Sequence, residues 1–301
     1  MEGTRYLVVT ADDFGIGPAT SRGILELAAA GRVTGTVLLV NSPYAEAAVH
    51  SCRRAGCPLE LGWHPCLTLD RPILPPEQVP SLVTADGRFP GLGLFSRRWL
   101  FGCIRVGEVE AELQAQYQRF IALVGRPPTI VNSHHHVQVF GMVGAALRRV
   151  LAASDPAPYL RRVREPWLTL RHVPGARAKR TFLTLLGRRE SRRQITDRLP
   201  GNDWLVGITD PPYVHDPRFL ARWLARAPGR IVELTCHPGH HDETLVGRDC
   251  ARDDGMLERR VRELELLLQP DFVDAYQRAG FTLVSPSELA RREASETRHA
   301  A

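Results

Sequence analysis

Four short stretches carry residues able to do hydrolytic chemistry, and they lie far apart in the chain: "TADDFG" at 10–15, "GWHPCLT" at 62–68, "NSHHHVQ" at 132–138 and "TCHPGHH" at 235–241. The adjacent carboxylates Asp12 and Asp13 can divide the work, one coordinating a cation and the other taking a proton from water. Asp13, His64 and one member of the triplet His134, His135 and His136 make a set of one carboxylate and two imidazoles. Such a set leaves coordination positions open and suits a catalytic divalent metal. On an extended strand His134 and His136 share a face, with His135 opposed. The plainer reading of Asp12-Asp13 is a surface turn or the N-cap of the next helix. The plainer reading of each histidine is a satisfied structural residue. Three histidines after a strand, together with "GWH" and "DD", favour the metal. His240 and His241 read as loop residues, and Cys66 and Cys236 as small buried fillers.

Each stretch follows a short apolar run, "YLVVT", "LELGW", "TIV" or "RIVEL", of the kind buried on both faces of a parallel sheet. Helix-period segments alternate with these runs. The clearest spans 107–125, with Val109, Leu113, Tyr117, Phe120, Ile121 and Val124 on one stripe. Others fall at 18–33, 44–56, "GMVGAALRRVLAAS", "RFLARWLAR" and "MLERRVRELELLL", and further strands at 35–41, "PYLRRVRE", "WLVGIT" and 281–285. Repeated strand–helix units predict an α/β fold, an irregular (β/α) barrel of TIM type with about seven to eight parallel strands. Active sites of such folds sit at the carboxyl ends of the strands, which is where the four stretches fall. One domain is expected over 1–290, with a Pro/Gly-rich insertion at 70–106 and a flexible tail at 291–301. The insertion carries Phe89, Phe95, Trp99 and Phe101, and reads either as a substrate lid or as a packing or dimer contact.

The chain has 301 residues and a formal net charge of +6. Lys179 is its only lysine, so the positive charge reflects an arginine-biased composition and not a nucleic-acid face. No apolar run reaches the ~18–20 residues of a membrane span. The amino terminus lacks a secretory pattern, and the six cysteines show no paired spacing, which points to the cytoplasm. The basic segment 167–193, with Trp167 and Phe182 interleaved, reads as a solvated basic helix packed on the barrel. An anionic membrane surface is the weaker reading, because Pro174-Gly175 breaks the apolar stripe.

Taken together, "VTADDFG", "GWHPCLT", "NSHHHV", "LRRVRE" and "ELTCHPG" resemble, in order and spacing over nearly the whole chain, the YdjC-like carbohydrate deacetylases. "RRVRELELLLQP" is similar to a segment near the end of that family. The resemblance implies an irregular barrel that removes N-acetyl groups from amino sugars such as chitooligosaccharides. A sub-branch is associated with hopanoid lipid synthesis, so a glycolipid substrate is included. By motif, Asp13, His64 and His134 are the implied ligands of one divalent metal cation, Asp12 the general base and His237 the general acid. Family practice implies Mg²⁺, while the imidazoles favour Zn²⁺ or another transition metal. Arg161, Arg164 and His136 are candidates to orient Asp12 or to hold a sugar hydroxyl. Family members often read "DSHHHVH", so Asn132 and Gln138 are departures. The rivals are a two-metal phosphoesterase, with His136 and His237 also as ligands, and a barrel that binds sugar or metal without catalysis. A homodimer is compatible with the sequence.

Overall fold

The apolar runs pair into one all-parallel sheet. The computed structural model describes residues 4–56, 59–289 and 291–292. Its strands are β1 (Arg5–Phe14), β2 (Gly35–Leu38), β3 (Glu60–Trp63), β4 (Ile130–Val131), β5 (Tyr159–Leu160), β6 (Trp204–Val206), β7 (Ile231–Cys236) and β8 (Phe281–Leu283). The order is β5-β4-β3-β2-β1-β7-β6, and β8 pairs with the first residues of β1. β5 and β6 form the seam. It is bridged where Leu160 N–H donates to Pro200 O at 2.8 Å and Leu205 N–H donates to Arg164 O at 2.9 Å. The result is the irregular (β/α) barrel expected from the sequence. The carboxyl-end segment of the expected tail, from 293 on, lies outside the described residues.

The helices are α1 (Pro18–Ala29), α2 (Ala45–Arg54), α3 (Leu92–Leu100), α4 (Val106–Val124), α5 (Gly141–Leu151), α6 (Trp167–His172), α7 (Arg177–Thr196), α8 (Phe219–Leu224), α9 (Met256–Leu268) and α10 (Pro270–Arg278). None among the described residues is long and apolar enough to cross a membrane. α4 buries Val109, Leu113, Tyr117 and Phe120 as its periodicity predicts, and also buries Glu112 and Gln116. Those two polar residues fasten loops. Gln116 accepts from Cys66 N–H at 3.0 Å and donates to Cys66 O at 2.7 Å, which fixes the loop just after His64. Glu112 accepts from the backbone N–H groups of Ile73 and Leu74, pinning the start of the insertion.

The insertion is part of the body. Phe89 and Phe95 are buried in the core, and Trp99 packs on Phe140 with ring centroids 4.8 Å apart. Asp70 ties it to the carboxyl end of β1: Arg248 grips both Asp70 oxygens at 2.6 Å and also donates to Ile16 O. The basic segment forms α6 and α7, and it packs on the barrel. Arg180 is fully buried, paired with Glu165 and donating to the carbonyls of Val173 and Gly175. These bonds satisfy the backbone freed where Pro174-Gly175 interrupts the helices.

β3 and β4 approach each other closely at Gly62. A Cβ there would lie 2.1 Å from Ile130 O. His64 and Asn132 sit two residues beyond these two positions. Gly62→Ala is therefore expected to lower stability by about 1–3 kcal/mol, the usual cost of overpacking, read as a lower midpoint in urea unfolding. An unchanged midpoint would show that the strands tolerate a wider spacing.

Candidate active site

The carboxyl ends of β1, β3, β4 and β7 meet around a cavity of about 210 Å³. Asp12, Asp13, His64, His134, His135, His136 and His237 all line it. Both aspartates face inward because Asp13 adopts a left-handed backbone, with φ 66°, and the β1–β2 register shifts between Ala11 and Phe14. Asp tolerates this conformation better than most residues. The N-cap role considered for Asp12-Asp13 belongs to Asp242, whose Oδ2 accepts from Ala19 N–H at 2.8 Å and Thr20 N–H at 3.0 Å at the start of α1.

The strand alternation expected for the histidine triplet does not occur. β4 ends at Val131, and the chain then turns tightly, with His135 and His136 at φ 53° and 56°. Two consecutive left-handed residues cancel the two-residue period. All three histidines thus reach the cavity, by different routes. His135 Nδ1 bonds the Thr68 hydroxyl at 2.9 Å. His136 is buried, and its Nδ1 has no hydrogen-bond partner among the described residues. Burial and the Arg161 charge hold its imidazole well below the usual histidine range.

Asp13 Oδ1 lies between two imidazoles, 3.3 Å from His64 Nε2 and 3.0 Å from His134 Nδ1. His64 commits its Nδ1 proton to the side-chain and main-chain oxygens of Asn132. Its Nε2 is left facing the Asp13 carboxylate. Asp13, His64 and His134 are all buried and offer one donor atom each within 4.8 Å of one another. The residues fit a divalent metal. The two remaining sides are braced. Asn132 Nδ2 donates to Asp12 Oδ1 at 3.1 Å, linking His64 to the neighbouring carboxylate. Asp249 Oδ1 lies 3.6 Å from His134 Nε2, and Arg260 NH2 bridges Asp13 Oδ2 at 2.7 Å and Asp249 Oδ2 at 3.0 Å. A carboxylate behind a ligating imidazole is the usual way to fix its orientation. His134, His135 and Asp249 form a second donor group that shares His134.

Asp12 is outside both donor groups. Arg161 holds it with two bonds, NH1 to Oδ2 at 2.6 Å and NH2 to Oδ1 at 2.9 Å, and the Thr235 hydroxyl donates to Oδ2 at 3.0 Å. Arg161 is itself anchored below by Glu233, at 2.7 Å. Burial alone would raise the Asp12 pKa, but the Arg161 charge and hydrogen bonds outweigh it and hold the carboxyl well below its ordinary value. Arg164, the other arginine expected here, is elsewhere. Its Nε donates to Asp203 O at 2.7 Å and its guanidinium stacks on Trp204. β5 ends at Leu160, and the chain turns between the two arginines, where Arg164 N–H donates to Arg162 O at 3.0 Å.

A family model for the YdjC-like protein matches residues 6–278. The chain belongs to the YdjC-like protein family. A carbohydrate deacetylase of Enterococcus faecalis is 30% identical over 292 residues, covering 95% of this chain and 98% of that one. One from Geobacillus stearothermophilus is 32% identical with the same coverage. A chitooligosaccharide deacetylase of Yersinia pestis is 30% identical, covering 93% and 98%. Among solved structures, an Enterococcus faecalis V583 protein named for cellobiose-phosphate cleavage superposes with a TM-score of 0.73 at 26% identity, covering 95% of this chain and 99% of that one.

In this YdjC-like protein several site residues escaped the sequence reading. Glu233 had a signal, a lone carboxylate within the apolar run "IVELTC". Arg259, Arg260 and Glu263 lie in a segment whose resemblance was visible but whose roles were not. Asp249 had no signal in spacing or type. Gln138 braces the turn: Ser133 Oγ donates to Gln138 Oε1 and accepts from Gln138 N–H.

Burial opposes a charge on His134, yet the Asp13 carboxylate and the contacts with Asp13 and Asp249 raise its pKa well above the usual value. Without metal the ring is therefore protonated at neutral pH, and a cation must displace that proton to bind. Divalent-cation affinity is expected to rise about tenfold per pH unit until the pH passes this raised pKa. About one proton should be released per ion, measured by calorimetry in buffers of different ionisation enthalpy. Asp249→Asn and Asn132→Ala are each expected to weaken binding about 10–100-fold. Unchanged affinity with no proton release would contradict the assignment.

Proposed function

We propose that this chain is a metal-dependent amide hydrolase, a carbohydrate deacetylase that removes the N-acetyl group of an amino sugar or related glycoconjugate. The observation that carries this reading is the division of labour on one cavity floor. Asp13, His64 and His134 form a donor set for one ion, and Asp12, an ionised carboxylate outside that set, stands beside it. The deacetylases that match over nearly the whole chain support the same reading. A divalent cation held by Asp13, His64 and His134 supplies Lewis acidity, lowering the pKa of a water and polarising the acetyl carbonyl.

The protein's own groups do the rest. Asp12 takes the proton of the attacking water. Its four hydrogen bonds fix the carboxylate plane, and the Thr235 hydroxyl is the one donor able to rotate away and free a lone pair on Oδ2. Arg161 keeps Asp12 ionised and oriented. His237 Nε2 lies 4.0 Å from Asp12 Oδ2 and faces the same reacting centre. His136 also lines the cavity, near the Arg161 charge.

Two imidazoles with one carboxylate favour a transition metal such as Zn²⁺, while the family resemblance favours Mg²⁺. The cavity walls favour a particular substrate shape. Leu92, Phe140, Phe182, Leu183, Ile208 and Met256 make them largely apolar, and Phe182 is half exposed at the surface. An N-acetylated sugar carrying an apolar aglycone, a glycolipid, matches those walls better than a free oligosaccharide does. We keep the cytoplasm as the compartment, on six cysteines without paired spacing. A two-metal phosphoesterase has less support, because among the described residues neither His136 nor His237 joins a donor group and the two groups share His134.

Metal-stripped protein is expected to release acetate from N-acetylated sugars or glycolipids only after Mg²⁺, Zn²⁺, Mn²⁺ or Co²⁺ is restored. Asp12→Asn should reduce the rate about 10²–10⁴-fold, the usual range for a general base, with metal still bound. His134→Ala should lose metal and activity together. Metal binding without acetate release from any substrate would favour the non-catalytic barrel.

A further inference from the structure

His237 closes a ring of contacts with α9. Its backbone N–H donates to the Glu263 carboxylate. Glu263 Oε1 accepts from Arg259 Nε at 2.7 Å, and Arg259 NH2 lies 3.0 Å from His237 Nδ1. A guanidinium has only donors and stays charged in proteins. His237 Nδ1 must therefore accept, and the ring proton sits on Nε2, the atom turned toward Asp12 and the cavity. Other groups facing the ring agree with a neutral imidazole. Burial and the Arg259 charge push its pKa down to about 4 against the attraction of Asp13, Asp12 and Glu263. Those carboxylates are already paired, Asp12 with Arg161, Asp13 with Arg260 and Glu263 with Arg259.

We propose that Arg259 fixes His237 as the neutral Nε2–H tautomer, so that His237 is a hydrogen-bond donor to the developing oxyanion and Asp12 carries the proton from water to the leaving amine. This rests on the deacetylase reading and changes the role expected for His237. A neutral imidazole cannot serve as the acid, since loss of its Nε2 proton would leave an imidazolate. In the first step the water oxygen bonds to the acetamide carbon, the carbonyl π pair moves onto oxygen, and Asp12 takes the water proton. His237 Nε2–H donates to the new oxyanion. In the second step the C–N bond breaks, its electron pair goes to nitrogen with the Asp12 proton, and the C=O bond re-forms. The products are the free amine and acetic acid, which then ionises, and Asp12 is again a carboxylate. Neutral histidine acting as an electrophile has precedent where imidazolium is disfavoured.

Arg259 is then a positioning residue and His237 a catalytic one. The test combines NMR with kinetics on the metal-loaded protein. In ¹⁵N-histidine-labelled wild type, with His237 assigned by comparison with His237→Gln, Nδ1 should resonate as an unprotonated nitrogen and Nε2 as a protonated one throughout the pH range of activity. Arg259→Lys should preserve that pattern, and Arg259→Met should mix the tautomers. His237→Gln keeps an N–H donor and should stay within about tenfold of wild type, while His237→Ala should fall about 10²–10³-fold. An imidazolium at the pH of maximal activity, or a Gln variant as inactive as Ala, would overturn the proposal while leaving the deacetylase reading intact. A wild type that releases no acetate would remove that reading and the proposed role with it.

Discussion

Two carboxylates adjacent in sequence cannot both be buried and ionised unless each has its own cation. That constraint organises the centre of this protein. Asp12 is assigned to Arg161, from just beyond β5, and Asp13 to Arg260, from α9. The two arginines come from different elements, and the left-handed backbone at Asp13 lets the adjacent carboxylates take separate partners. Each arginine is in turn held by a second carboxylate, Glu233 or Asp249. Removing one member of such a buried pair typically costs about 3–5 kcal/mol, because the other is left uncompensated. The arrangement therefore holds the site in place while leaving Asp13 Oδ1 free to face two imidazoles.

The same economy explains Asn132. Its side chain accepts from His64 and donates to Asp12, a combination that only an amide offers. A carboxylate there would accept from His64 equally well but would have no donor for Asp12. The amide couples the orientation of His64 to that of Asp12 and leaves the donor set Asp13, His64 and His134 complete.

Much of this was legible in the sequence. Apolar runs and helix periods gave the parallel barrel, because strands buried on both faces leave little else to read. The carboxyl-end rule brought Asp12, Asp13, His64, His134 and His237 to one cavity although they span more than two hundred residues. What failed had physical causes. The triplet was read with a strand period, but the strand stops before it and two left-handed residues follow. Arg164 was grouped with Arg161 by proximity, although a tight turn after β5 takes it to the seam. The basic segment was read as a solvated helix packed on the barrel; helices form there, but the burial of Arg180 and Glu190 depends on partners that no local pattern reveals. Asp249 sits in a loop and is defined only by what it touches.

The central claim is that one divalent ion is held by Asp13, His64 and His134. Anomalous diffraction from crystals loaded with Mn²⁺, Co²⁺ or Zn²⁺ tests it most directly. The account predicts a single peak among Asp13, His64 Nε2 and His134 Nδ1, with His134 Nε2 turned to Asp249. A peak held by His134, His135 and Asp249, or two peaks, would contradict it.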